Sequence, residues 1–126
     1  MNYHKLSEKE KIVETIRKIL SKYNIDFAII FGSFATRNYF EDIDILIKGE
    51  IKDEIIDEIE KEIKIEIDVK DWNRVNLQTK FFAIKEGIRI IFNEEAFFKE
   101  RLKTLNEYFD FKPIIDKYTK YYLDKI

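Results

Sequence analysis

Two aspartates, Asp42 and Asp44, flank a single isoleucine and lead into the apolar run Ile45-Leu46-Ile47. On a strand, residues two apart point to the same face. The two carboxylates therefore share one face at the mouth of the strand, while Ile43, Ile45 and Ile47 share the other. Like charges fixed side by side call for a cation between them, and a hard ion such as Mg²⁺ is commonly held by one or two carboxylates plus substrate phosphates. Just upstream, Gly32-Ser33 ends the apolar run that starts at Phe27. Glycine lets backbone approach a ligand closely. The start of a helical turn carrying a serine hydroxyl suits phosphate oxygens. Arg37, in the polar segment between the two motifs, is a candidate further phosphate contact.

A third acid, Asp68, lies on the polar side of an alternating segment, with Glu66 on the same face. Acids of this kind can clamp two metal ions about 3.5–4 Å apart around an in-line displacement at phosphorus. Asp68 could instead take the proton from an attacking hydroxyl. Glu66 reads as a solvated neighbour. His4 is the only histidine and sits near the start of the chain, so a histidine-based mechanism has no support elsewhere.

The elements that must position these residues follow from periodicity. Ser7 with Glu10 reads as a capping box ahead of Ile12, Val13, Ile16, Ile19 and Leu20, which predicts a helix over 8–22 ended by Asn24. Residues 26–31 predict a strand buried on both faces, with Ser33 capping a helical turn over 34–39. A second strand is expected over 42–48. A helix over 51–62 buries Ile51, Ile55, Ile56 and Ile59. Alternation from Ile63 to Lys70 predicts a third strand. A helix over 75–86 is stopped by Gly87, and a short strand follows over 88–92. Asn93 caps a helix to about 110. Pro113 is expected to break it, because the residue before a proline is biased away from helix, and a last helix covers 113–124. Only about ten residues join the first two strands, which is too tight for a parallel crossover and predicts antiparallel neighbours. The fold class is α+β: a small mixed sheet of about four strands covered by helices.

The chain is 126 residues long with a net charge of −2, so no global basic field exists to hold nucleic acid, and strong nucleic-acid binding is not expected. Without cysteine there is no disulfide or thiolate chemistry, which fits a cytoplasmic setting. No window approaches the ~20 apolar residues of a membrane span. The interleaved Lys and Glu and the scarcity of Gln give a thermophile-like composition. Tyr118, Tyr121 and Tyr122 recur at helical spacing and read either as core packing or as a partner surface.

Gly32-Ser33, Asp42-x-Asp44 in an apolar strand and Asp68 in the next strand together resemble the minimal nucleotidyltransferases (MNT) of the DNA polymerase β-like superfamily. The resemblance runs from the first helix to about Phe92 and includes the Glu86-Gly87-Ile88 turn. It implies that residues 1–126 form one minimal nucleotidyltransferase domain with a C-terminal helical segment at about 94–126. It further implies that Gly32, Ser33 and Arg37 bind the nucleotide, and that Asp42, Asp44 and Asp68 hold Mg²⁺ (two ions) and are catalytic. Many members of the family resemble antitoxins paired with a helical HEPN-type ribonuclease toxin, and some transfer AMP from ATP to a tyrosine of that toxin. The resemblance thus implies an antitoxin with ATP as substrate and a HEPN-type toxin as partner, with a homo-oligomer also possible. Two other readings share the same residues. One is a degenerate module that neutralises its partner by binding alone, suggested by the short Ser33–Asp42 segment. The other is nucleotidyl transfer to a small molecule.

Overall fold

The computed structural model describes residues 2–37 and 40–123, and the side chains of residues 8–37 and 40–110. Helix α1 (Asn2–Leu20) leads into strand β1 (Ile25–Phe31), a four-residue helix α2 (Ser33–Thr36) and strand β2 (Asp42–Gly49). Helix α3 (Asp53–Ile63), strand β3 (Glu66–Asp71), helix α4 (Leu77–Glu86), strand β4 (Ile88–Ile91) and helix α5 (Glu94–Leu123) complete it. The strands form one mixed sheet in the order β3-β2-β1-β4. β1 pairs antiparallel with β2 and with β4, as the short β1–β2 connection requires. β2 and β3 run parallel, with α3 as the crossover.

Alternation along β1 and β2 divides the core in two. Ala28, Ile30, Ile43, Ile45 and Ile47 face α1 and α3, where they meet Ile16, Leu20, Ile55 and Ile59. Phe27, Ile29 and Leu46 face the other way, toward Ala83 and Ile84 of α4 and Phe97 of α5. Trp72, which follows β3, is fully buried in this second cluster. Phe27 meets Trp72 and Phe97 edge-on, each with ring centroids 5.1 Å apart, the geometry that aromatic quadrupoles favour. The indole Nε1 donates to Glu100 of α5 at 3.0 Å, so the buried ring keeps its polar atom satisfied and ties α5 to the sheet.

Beyond shifts of one or two residues at other ends, four boundaries differ from the sequence-based expectation. α1 starts at Asn2, so Ser7 lies inside the helix and does not cap it; residues 2–6 contain no Gly or Pro to stop a helix from extending that far. β3 starts at Glu66, because Ile63 closes the every-fourth-residue stripe of α3 and Lys64 turns the chain in the left-handed region (φ 57°). Gly32, not Ser33, is the N-cap of α2, which is shorter than expected. α5 runs unbroken through Pro113, although proline has no N–H to donate. The expected cap of α5 is present, Asn93 accepting from the Ala96 amide at 3.1 Å, and α4 has a cap that was not expected, Asn76 accepting from the Thr79 amide at 2.8 Å. The side chains of Tyr118, Tyr121 and Tyr122, and that of His4, lie outside the described residues. Among the described residues no helix is long and apolar enough to cross a membrane.

Gly87 ends α4 with an ordinary extended backbone, so the reason for glycine there is space. A Cβ would come 2.6 Å from the Ala83 carbonyl oxygen and 2.3 Å from a methyl of Ile29. Gly87→Ala should therefore cost about 1–3 kcal/mol of stability, the usual range for overpacking, measured as a lower urea midpoint at unchanged slope.

Candidate functional site

The acids come together because of strand register. Asp44 of β2 stands opposite Phe31 of β1 on one side and opposite Asp68 of β3 on the other. Directly paired residues share a face of the sheet, so Phe31, Asp44 and Asp68 form a row across three strands. This is the face covered by α4 and α5, and the row lies at its open end. Asp42, two residues before Asp44 and paired with Glu66, extends the acidic edge toward solvent.

Asp44 is half-buried, while Asp42 and Asp68 are exposed. Burial raises the Asp44 carboxyl above its ordinary range. The negative charges of Asp42 and Asp68 add to the shift, as does a hydrogen bond with Asp68, and Lys70 partly offsets it. Lys70 lies on the same face as Asp68, pairs with it at 3.9 Å and sits over the Phe31 ring at 5.9 Å. Its place in the Glu66, Asp68, Lys70 alternation is the sequence signal that puts it beside the acids.

Gly32 closes the other side. Its φ of 80° lies in the region that favours glycine, and a Cβ there would stand 2.7 Å from Asp44 Oδ2. The missing side chain leaves a cradle between the α2 turn and the Asp44 carboxylate. Ser33 opens that turn as its first residue, and the Arg37 amide closes it on the Ser33 carbonyl at 2.8 Å. Lys9 of α1 holds the turn from behind. Its ammonium donates to the Phe34 carbonyl at 2.6 Å and to the Arg37 carbonyl, and lies 5.2 and 5.7 Å from the Phe34 and Phe40 ring centroids. Burial pushes this lysine below its usual value. No sequence signal marked it, because its partners are backbone carbonyls at least 25 residues away.

Arg37 is placed apart from the acids. It is exposed and lines a cleft of about 550 Å³ between α1 and α2, together with Lys9 and Glu14. On the opposite side of Gly32 a second cleft, of about 400 Å³, opens between α2 and α4.

The acidic row is all oxygen, the donor type of hard divalent cations. Asp44, raised by burial and then by its like-charged neighbours, is the group that a cation would relieve. The cradle over Gly32 adds room beside it. These residues fit Mg²⁺ in the mode that leaves most positions to substrate phosphate and water. Among the described residues no three His, Asp or Glu side chains are gathered closely enough to make a complete cage. The fit is thus to a facing pair, Asp44 and Asp68, flanked by Asp42.

A mixed sheet layered by helices on both faces, with a carboxylate row beside a Gly-Ser turn, defines a nucleotidyltransferase-type fold. The chain belongs to the family described as polymerase beta, nucleotidyltransferase, whose profile matches residues 14–96. Comparison with curated protein sequences finds no match. Among solved structures, the fold is similar to a toxin–antitoxin structure with AMP-PNP (17% identity, TM-score 0.65, covering 84% of this chain and 97% of that one). It is also similar to a mutant MntA–HpeT toxin–antitoxin (15%, TM-score 0.63, covering 88% and 98%). A third is a tri-AMPylated Shewanella oneidensis HEPN toxin in complex with MNT antitoxin (16%, TM-score 0.58, covering 91% and 98%).

The raised Asp44 has a consequence for stability. A carboxyl whose folded value exceeds its unfolded one binds more protons in the native state, so stability falls as pH rises through that window. In metal-free protein at neutral pH, Asp44→Asn should therefore raise the melting temperature. The gain should shrink as pH falls through the raised folded value and vanish below the ordinary carboxylate value, where the wild-type group is protonated in both states. Thermal melts of both proteins across pH 3–8, in chelator, check this; a variant less stable than wild type at neutral pH would contradict it.

Proposed function

We propose that this protein is an Mg²⁺-dependent adenylyltransferase that moves AMP from ATP onto a hydroxyl, that of a tyrosine, in a HEPN-type toxin, and so acts as its antitoxin. The reading takes residues 1–126 as one minimal nucleotidyltransferase domain. Family membership supports the reaction class. The likeness in fold to MNT antitoxins, in structures that include AMP-PNP and a tri-AMPylated HEPN toxin, supports the nucleotide and the partner. The observation that carries the reading is the in-register pair Asp44 and Asp68 beside the side-chain-free Gly32.

In this mechanism Asp42, Asp44 and Asp68 would hold Mg²⁺, which when bound neutralises charge on the phosphate oxygens and the leaving group. Gly32 and Ser33 border the cradle where the triphosphate lies, and the turn they open is kept in place by Lys9. The acceptor oxygen attacks the α-phosphorus, the bond from that phosphorus to the bridging oxygen breaks, and pyrophosphate departs. Asp68, the most exposed-edge member of the row, takes the hydroxyl proton. Arg37, on the far side of the turn, would reach phosphate only by leaving the α1–α2 cleft.

Purified protein with Mg²⁺, ATP labelled at the α-phosphate and the HEPN-type product of a neighbouring gene should place label on a tyrosine of that product. Asp44→Asn should lower the rate by about 100-fold or more, the usual scale for losing a preorganised electrostatic partner of the transition state. Gly32→Ala, which fills the cradle, should lower it as well. Unchanged labelling in Asp44→Asn would sink the assignment. Full neutralisation of the toxin by an Asp42/Asp44 double variant would favour the binding-only module.

A further inference from the structure

The cleft between α2 and α4 belongs to none of the roles assigned so far. Resting on the nucleotide reading above, we propose that this cleft takes the adenine base of the nucleotide, stacked on the ring of Phe82. The cleft measures about 400 Å³ and touches the acidic site through Gly32, so a ligand with its phosphates at the cradle would extend into it. Its volume is within the range of small-molecule sites.

The lining favours a flat, neutral, aromatic group. Phe82 is 40% exposed, yet its ring is braced from behind. Phe81 meets it edge-on at 5.6 Å and is itself stacked at 3.7 Å on Tyr108 of α5. An aromatic ring held this firmly while open to solvent is a ready platform for a base. Phe31 and Gly32 border the opposite side, and Gln78, Thr79 and Glu86 supply polar groups. No lysine or arginine is among the residues that line the cleft. It therefore suits no phosphate and offers guanine none of the basic partners that best read its O6 and N7. A side-chain amide such as that of Gln78 offers a donor and an acceptor together, the pairing that recognises adenine.

Topology decides between base and acceptor. Asp68 is on β3, at one edge of the sheet, whereas the cleft opens beyond the end of β1, next to the helix that precedes β4 at the other edge. An acceptor hydroxyl that gives its proton to Asp68 approaches from the β3 side and leaves the cleft to the nucleoside.

Isothermal titration with Mg²⁺ and three probes tests this: AMP-PNP, GMP-PNP and inorganic tripolyphosphate. Wild type should bind AMP-PNP more tightly than tripolyphosphate. Phe82→Ala should weaken AMP-PNP by about tenfold, a typical loss for one base–aromatic stack, and leave tripolyphosphate unchanged. Phe82→Trp should restore the affinity. Gln78→Ala, at an exposed position that leaves the fold intact, should narrow the preference for AMP-PNP over GMP-PNP. The proposal is overturned if wild type binds AMP-PNP and tripolyphosphate equally, or if Phe82→Ala leaves AMP-PNP binding untouched. It is also overturned if Phe82→Ala weakens both probes alike while melting as wild type does. If wild type binds no probe at all, the nucleotide reading fails first and takes the base site with it.

Discussion

Repulsion between Asp44 and Asp68 is the constraint around which the other parts of the molecule are arranged. Parallel pairing of β2 and β3 puts the two carboxyls directly side by side, and partial burial of Asp44 removes much of the water that would screen them. Charges that close cost stability unless a cation or a proton intervenes. The protein holds them there because both strands are anchored elsewhere. Ile43, Ile45 and Ile47 are fully buried against α1 and α3, and Leu46 is fully buried beneath the opposite layer. The apolar residues between and beyond the acids fix the register, and a slip of one residue would turn the acids into the core and the isoleucines out of it.

The two helical layers therefore have different tasks. The α1–α3 layer covers its face with a core dominated by isoleucines and holds the sheet. The α4–α5 layer stops short and leaves the end of its face open, so the acidic row, the Gly32 cradle and the α2–α4 cleft lie side by side. Helix α1 has two tasks. Its apolar stripe enters the core, while Lys9 on its flank holds the α2 turn. A four-residue helix has little stability of its own, since the first turn of any helix is costly to nucleate. The turn beside the acids is thus kept in shape by tertiary contacts.

Much of this was legible in the sequence, for identifiable reasons. β1 and β2 were readable because a strand buried on both faces is a continuous apolar run and the one beside it alternates. The antiparallel order followed from loop length alone. The carboxylate row was readable because a period of two puts Asp42 and Asp44 on one face, and Asp68 falls on the polar side of its own strand. The start of β3 was not readable: Ile63 satisfies the period of α3 and the period of the strand equally, and only the left-handed Lys64 separates them. Neither Lys9 nor the aromatic relay behind Phe82 could be found, since both depend on which helices become neighbours. Arg37 was a candidate by residue type and by its place between the two motifs, but it lines the cleft between α1 and α2, away from the acids.

The position of β3 at the edge of the sheet has one more effect. An edge strand exposes unpaired backbone groups and invites another strand to add to it, which in many proteins leads to aggregation. Here every second residue of that strand, Glu66, Asp68 and Lys70, is charged and exposed. A strand arriving at that edge would have to bury those charges along its whole length. The alternation that presents Asp68 to the site therefore also keeps the sheet from growing.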